Sequence, residues 1–550
     1  MNTLCPDAIR DNPQSWQAHY VSGNLLLEKY NRAQAVPDLK QALTINPRAV
    51  NVLCSLAEAA LQKHDFSDAE LFTDQALDIQ PNHPRGLQLK SDVLLANGDL
   101  SAALSVLQQA RAVNSVDQNT LGRLAACHYL MDLSPDPDAT DRRLQKILEN
   151  IDAIDAVAPE NPTRVEAVVI EVAARNPAPG TFLNTFARRL EARRKYLLAE
   201  TLYLQAIRVM PQMSEPKNRL GMLYMQTGRT REAGQILDDA FGSDPYHVRV
   251  SNMRKVLGVL SGYDRITTDH FVIHVDSKAD RILGEYMAEY LEEVHAELVE
   301  YYGYEPPQRT NFEIYNTAKG LSAHQWFSAR MVGLPWIQTI GASTGMMVAL
   351  ASPTATDQPY NWARVVKHEF VHVVTLQQTR FNIPHWFTEA LAVTSEGTER
   401  PAVWNQLLLE RVPKNELASL DELNRIFTRP KSPLDWQFAY CQSRLYAQYI
   451  IEQYGAEKVT GMLEAYRSNQ STRTAIPRVF GISVEEFEKG NRDFLNRIVK
   501  DELGGSTLSS PLSLSELEKA YDADDGNPSK IAAFAAGLLA VRRRTQARQL

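Results

Sequence analysis

The chain has 550 residues, enough for about three or four domains of ordinary size. Its 58 Lys+Arg stand against 66 Asp+Glu for a net charge of −8, with no long block of one sign, which excludes a general nucleic-acid or anionic-membrane binder. Four widely spaced cysteines (Cys5, Cys54, Cys127, Cys441) without a CxxC pair exclude a disulfide framework and a cysteine-built zinc site, and they read as buried thiols.

The first residues, MNTLCPDAIRDNPQSW, carry no charged region followed by an apolar run, and no stretch reaches the length of a membrane span. A soluble chain without an export address is therefore expected, with the cytoplasm favoured. Next comes a period. Pro47 and Pro81 lie 34 residues apart, after QALTINP and QALDIQP, and Ser115 takes the corresponding place one period on. Gly23, Ala35 and Ala42 precede Pro47, Ala57, Ala69 and Ala76 precede Pro81, and Ala103 and Ala110 follow in step. Small residues at this spacing let two helices of a repeat approach closely, and the pattern resembles the tetratricopeptide (TPR) family. It returns in Ala199, Ala206 and Pro211 and again in Ala233, Ala240 and Pro245. Repeats are expected over 1–130 and 181–262. The proline-punctuated stretch 131–180 between them reads as degenerate repeats or a helical connection. The basic stretches Arg188 to Lys195 and Arg542 to Arg544 read as solvated helix faces.

After residue 262 the pattern changes to a mixed α/β domain, expected over 263–503. HFVIHVD and NFEIYN are strand-length β-branched and aromatic runs, the amphipathic stretch Asp280 to Tyr302 lies between them, and Met346 to Ala351 is a further strand. Residues 362–377 have the apolar surface of a helix, which sets His368 and His372 one turn apart on one face, where two imidazoles reach one ion. Glu369 lies beside them. The residues after His372 lack the His-x-x-Gly-x-x-His continuation of a metzincin.

HEFVH at 368–372, a short loop with Pro384, and WFTEALA at 386–392 together resemble the gluzincin zinc metallopeptidases, in particular the peptidase MA-like branch, often fused to TPR repeats. The expected fold class is thus an α TPR solenoid plus an α+β gluzincin domain. The resemblance implies one zinc ion per chain held by His368, His372 and Glu389, with Glu369 as the general base for water. His385 also faces the cleft by helical phase, and Glu389 is preferred because the family places its ligand there. Ala390 stands where the branch commonly has Gly. Val393 stands where thermolysin-type members have an Asp, which leaves the orienting partner of a zinc histidine unassigned. IGASTGMMVALASP resembles the approach to the strand that lies along the cleft and pairs with an extended substrate. DWQFAYCQSRLYAQYIIEQYG resembles the helix after the site and offers Tyr440, either a buried phenol or a donor to a developing oxyanion. His270, His274, His295 and His324 have no partner at ligand spacing.

The implied function is zinc-dependent peptide-bond hydrolysis, with a peptide or protein substrate and with TPR repeats holding protein partners. Two alternatives stand beside it: a TPR scaffold whose peptidase-like domain binds zinc without hydrolysing, and an interaction protein with no metal. No nucleic-acid partner and no membrane span are expected. Past the linker ELGGSTLSSP, residues 512–550 read as the start of further repeats. They stop inside what should be a second helix, so the sequence reads as a fragment of a longer protein.

Overall fold

The structure is a computed structural model that describes residues 4–132, 136–332, 340–356, 360–428, 430–504, 514–540 and 543–550. These fall into two compact units, Met1–Thr398 with Leu420–Val484, and Glu399–Ser419 with Glu485–Leu550.

The first unit opens with paired helices: Trp16–Glu28 with Arg32–Ile45, Val50–Lys63 with Phe66–Ile79, and Pro84–Asn97 with Leu100–Val113. The periodic alanines are what make the pairing close. Ala35, Ala42, Ala69, Ala76 and Ala103 are fully buried, and a Cβ on Gly23 would sit 2.7 Å from Leu39 Cγ. Asp65 and Asp99, one period apart, accept hydrogen bonds from Asp68 N and Ala102 N and so cap the second helix of each repeat. The segment 131–180 holds the helices Pro137–Glu149, Ile154–Val157 and Arg164–Arg175. The next helix, Gly180–Glu191, packs directly on Gln118–Met131, where Gln118 Oε1 accepts from Phe182 N at 3.1 Å. The pairs Gly180–Glu191 with Tyr196–Val209 and Ser214–Gln226 with Thr230–Ser243 follow, and Val248–Leu260 ends the array.

The array then meets its own beginning. Lys29 Nζ lies 2.8 Å from Asp244 Oδ2, Val248 N donates to Lys29 O at 3.0 Å, and the Tyr30 ring lies under the Arg249 guanidinium and against His247. The repeats therefore form a ring.

The ring joins a five-stranded sheet. Its strands are β1 (Tyr263–Thr267), β2 (Phe271–Asp276), β3 (Thr310–Tyr315), β4 (Gly341–Ser343) and β5 (Met347–Ala351), in the order β1-β2-β3-β5-β4. β2, β3 and β5 are parallel, and the two outer strands run antiparallel to their neighbours. The long helix Arg281–Tyr302 makes the crossover from β2 to β3. Every residue of β5 is buried, as expected of a strand paired on both sides and covered by helices. This corrects one expectation: the strand MVALA has both backbone edges occupied, so the edge strand is the shorter β4. The helix Trp362–Gln378 follows and packs against β4.

Three cysteines are buried, while Cys5 is half-buried in the first helix. The second unit includes the helices Ala402–Arg411, Leu514–Asp522 and Pro528–Ala540, the last two packed together through a Tyr521–Phe534 ring contact at 5.3 Å. Of the basic stretch Arg542 to Arg544, residue 542 lies outside the described residues. Among the described residues, no helix is long and apolar enough to cross a membrane.

Candidate metal centre

His368, Glu369 and His372 project from the helix Trp362–Gln378, whose start is capped by Asn361 accepting from Arg364 N. Glu389 comes from the following helix, His385–Ser395, which begins after Pro384. Between the helices the chain reverses through two left-handed residues, Arg380 (φ 55°) and Phe381 (φ 62°). Neither is glycine, and the repeat ring holds them there. Lys195 Nζ donates to Arg380 O at 2.6 Å and to Asn382 Oδ1 at 2.7 Å, Asp141 pairs with the Arg380 guanidinium, and Tyr196 packs edge-on against Phe381 at 5.4 Å.

The reversal brings three donor atoms together. His368 Nε2 and His372 Nε2 are 3.2 Å apart, and Glu389 Oε2 lies 3.4 Å and 3.5 Å from them. Zinc bonds of about 2.0–2.1 Å at tetrahedral angles put ligand atoms about 3.3 Å apart, so the three atoms form one face of such a site. Glu389 Oε2 is buried and has no hydrogen-bond partner. Its other oxygen, Oε1, takes His385 Nε2 at 3.1 Å, so His385 stands behind the carboxylate and not on the side of the two histidines. His385 is itself stacked on Phe427 at 5.0 Å.

Each imidazole is held from its far side. His368 Nδ1 lies 2.9 Å from Glu396 Oε1, and His372 Nδ1 lies 2.8 Å from Thr388 Oγ1, which in turn meets Thr375 Oγ1 at 2.9 Å. Burial opposes charge on His368, but hydrogen bonds to Glu389 and Glu396 and the charges of Glu389 and Glu369 outweigh it and raise its pKa to about 10. Burial likewise opposes ionisation of Glu389, yet the two histidines keep its carboxyl well below the usual carboxylate range. The pocket is thus built for a positive charge between these side chains, and the residues fit a zinc ion.

Glu369 is buried beside them. Desolvation pushes its carboxyl up to about 7, which suits a group that accepts and returns a proton near neutrality. It lies against the edge strand, where a Cβ on Gly341 would come within 2.6 Å of Glu369 Oε1. Tyr440, on the helix Pro433–Tyr454, is held between Phe427 and Trp436, both at 5.1 Å and nearly perpendicular. Burial first, then the charges of Glu389, Glu369 and Glu396, keep its phenol protonated.

The structure therefore brings His368, Glu369, His372, Glu389 and Tyr440 into one site. Sequence reasoning missed Glu396, Thr388 and Thr375. Glu396 lies seven residues after Glu389, two helical turns along the same face, so helical phase was a usable signal for it. It takes the orienting part that Val393 cannot. Thr375 is three residues after His372, within reach on the same helix.

A profile of the Peptidase MA superfamily matches residues 294–497. Tetratricopeptide-repeat profiles match residues 8–93 and 215–247. The chain carries a Peptidase MA superfamily domain. The peptidase MA domain is joined to N-terminal TPR repeats, a type of repeat that mediates contact between proteins. Among solved structures the chain is similar to the TPR protein YrrB, at 16% identity over 39% of this chain and 97% of that one, with a TM-score of 0.23. It is also similar to PilF of Pseudomonas aeruginosa, at 16% identity over 44% and 96% with a TM-score of 0.24. No curated protein matches the sequence.

A second group, His270, His295 and Glu305, gathers three potential donors outside the peptidase MA site. The two rings are stacked 3.7 Å apart at 14°, so their in-plane lone pairs run nearly parallel and do not converge on an ion. Glu292 already engages His270 Nδ1 at 2.6 Å. These histidines, taken singly in the sequence, form a structural stack between β2 and the helix Arg281–Tyr302.

Proposed function

We propose that the chain is a zinc-dependent metallopeptidase in which His368, His372 and Glu389 hold one zinc ion and Glu369 is the general base. The observation that carries this reading is the buried, unpartnered Glu389 Oε2 facing two imidazole nitrogens at 3.4 Å and 3.5 Å. Zinc bound there supplies Lewis acidity and lowers the pKa of water toward about 7.

The chain's own groups do the rest. Glu369 accepts a proton from the attacking water and passes it to the leaving amine, and its raised pKa lets it work in both directions. Tyr440 donates its phenolic hydrogen toward the oxygen on which negative charge develops. Glu396 and Thr388 fix the two histidines with Nε2 directed inward. β4 is the outer strand of the sheet and passes beside Glu369, so an extended substrate pairing with its backbone would bring a scissile bond to the base. The repeats dock protein partners or substrate segments.

The test pairs wild type with Glu369→Gln, both zinc-loaded, on an unbiased peptide library read by mass spectrometry. Zinc content near one per chain in both, with cleavage by wild type alone, is the expected result. Zinc bound without cleavage by wild type returns the domain to a scaffold, and absence of stoichiometric zinc removes the reading altogether.

A further inference from the structure

Of the stretch Arg188 to Lys195, expected from the sequence to be a solvated face, Arg188, Arg189, Arg193 and Arg194 lie instead on the inner wall of the repeat ring. The ring surrounds a partly open cavity of about 1060 Å³. Among the described residues nine arginines and four carboxylates line it. Each carboxylate already has protein partners. Glu58 pairs with Arg85 at 2.6 Å, and Asp92 with Arg123 and Arg189 at 2.9 Å and 2.8 Å. Asp117 accepts from Gln88 at 2.6 Å, and Glu191 takes the Tyr203 hydroxyl at 2.5 Å. Arg32, Arg188 and Arg193 form no ion pair among the described residues, and Arg188 Nε and Arg32 Nη1 are buried without a hydrogen-bond partner. At Arg32 and Arg193 burial alone acts and pulls the pKa down, the mark of a guanidinium without a counter-charge, whereas at Arg188 burial and Arg219 are outweighed by Tyr30, Glu215 and Glu58. A guanidinium left uncompensated costs stability unless an anion meets it.

Two further observations choose among anions. Gln62, whose Nε2 donates to Leu27 O at 3.5 Å, aims a buried Oε1 that has no donor. That acceptor calls for a hydrogen-bond donor, which every backbone N–H of a peptide supplies and a fully deprotonated anion such as sulfate lacks. Asn252 and Gln226 offer similar amides from other helices around the wall. The volume of about 1060 Å³ lies at the upper end of small-molecule pockets, roughly 300–1,000 Å³, and has room for several residues of an extended chain. A concave space lined by helices of several repeats suits an extended segment more than a folded surface.

We propose that the ring binds an acidic, unfolded segment of a protein, its Asp and Glu carboxylates on Arg32, Arg188 and Arg193 and its backbone amides on Gln62, Gln226 and Asn252. The wall that holds it continues to the peptidase MA domain. Tyr196 and Gln226 line the cavity, Thr344, in the turn after β4, donates to Gln226 O at 2.7 Å, and Gln325 of the helix Thr317–Val332 closes part of the wall. A substrate with an acidic segment would thus be held next to the strand that presents its scissile bond. Only this last step rests on the proposed peptidase reading.

The test measures binding apart from hydrolysis. The full-length Glu369→Gln chain is titrated into a fluorescein-labelled peptide of alternating glutamate and serine, with a lysine–serine peptide as comparison, and anisotropy is read. The acidic peptide binds, its affinity falls as salt rises, and Arg188→Gln and Arg193→Gln each weaken it about tenfold or more, as loss of a charge-assisted hydrogen bond does. Equal affinity for both peptides, or no change in the two variants, overturns the proposal. Competition by inorganic phosphate at equal charge separates the sources: displacement as effective as that by unlabelled peptide overturns the peptide segment in favour of a simple anion site. Should Arg188→Gln fail to fold, Arg32→Gln on the separate helix Arg32–Ile45 gives the same reading. In zinc-loaded wild type, appending the acidic segment to a cleaved peptide lowers KM and leaves kcat. Binding without any cleavage leaves the ring proposal standing and removes the peptidase reading instead.

Discussion

The hydroxyl of Thr388 lies 2.8 Å from Nδ1 of His372, and this contact dictates which nitrogen of the ring carries hydrogen. Thr375 donates its own proton to Val371 O at 2.8 Å, so its oxygen can only accept from Thr388. Thr388, having donated there, accepts from His372. The imidazole must then be protonated at Nδ1 and present a bare lone pair at Nε2, where a metal needs it.

Thr388→Val removes this relay while keeping the shape of the side chain. Zinc affinity, measured by competition with a chromophoric chelator, should fall about 10–100-fold, and Thr388→Ser should restore it. Unchanged affinity in the valine variant would mean the tautomer is fixed in some other way.

Gly341→Ala puts a methyl 2.6 Å from Glu369 Oε1 and 2.7 Å from Leu350 Cδ2. Both are ends of side chains, so the fold should survive while the carboxylate is pushed aside. kcat should drop with zinc content unchanged, because displacement of a reacting group by about 1 Å costs on the order of a hundredfold. Loss of zinc in this variant would show the edge strand supporting the ligands instead of the base.

Tyr440→Phe should leave zinc affinity intact and lower kcat about a hundredfold or more, the usual effect of removing one donor to a developing oxyanion. An equal rate would return Tyr440 to the packing between Phe427 and Trp436.

Lys195→Met removes two hydrogen bonds to the 380–382 turn from a part of the chain almost two hundred residues earlier. Stability should fall by about 1–3 kcal/mol, and zinc should bind more weakly because Glu389 is delivered by that turn. A variant that loses stability but binds zinc as wild type would uncouple the ring from the site.

His247 gives a pH dependence. Burial pulls its pKa down to about 4, with Arg219 and Arg249 acting in the same direction and Glu215 and Asp244 against it. Its neutral Nδ1 accepts from Val250 N at 3.3 Å and caps the last helix of the array. Between about pH 6.5, the value for an unperturbed histidine, and pH 4 the unfolded chain binds the proton and the folded one does not, so stability is lost as pH falls through that window. The urea midpoint of wild type should therefore fall more steeply on acidification than that of His247→Asn, which keeps a capping oxygen. Parallel curves would assign the loss to other groups.

How much of this could be read from the residues depended on distance along the chain. His368 and His372 are a turn apart, and the alanine period repeats within one helical pair, so both were legible as helical phase. Glu389 depended on a reversal through Arg380 and Phe381, which no glycine announces. The family pattern supplied it where local chemistry did not. Arg188 to Lys195 misled for the opposite reason: in a straight helix such a run faces water, and only closure of the ring turns it inward. Thr388 has nothing to mark it until the histidine it touches is in place.

That closure also bears on the order in which the protein comes into being. An open array of repeats is stabilised neighbour by neighbour and can form from either end as it is synthesised. Here Lys29 waits for Asp244 and Val248, more than two hundred residues later, before its own helix end has its partners. The first repeat leaves the ribosome with its edge uncovered, and the last is bounded by the first. The contacts of Lys29 and Tyr30 with Asp244, His247 and Val248 cover both ends of the described array, so parting them would expose the arginine lumen.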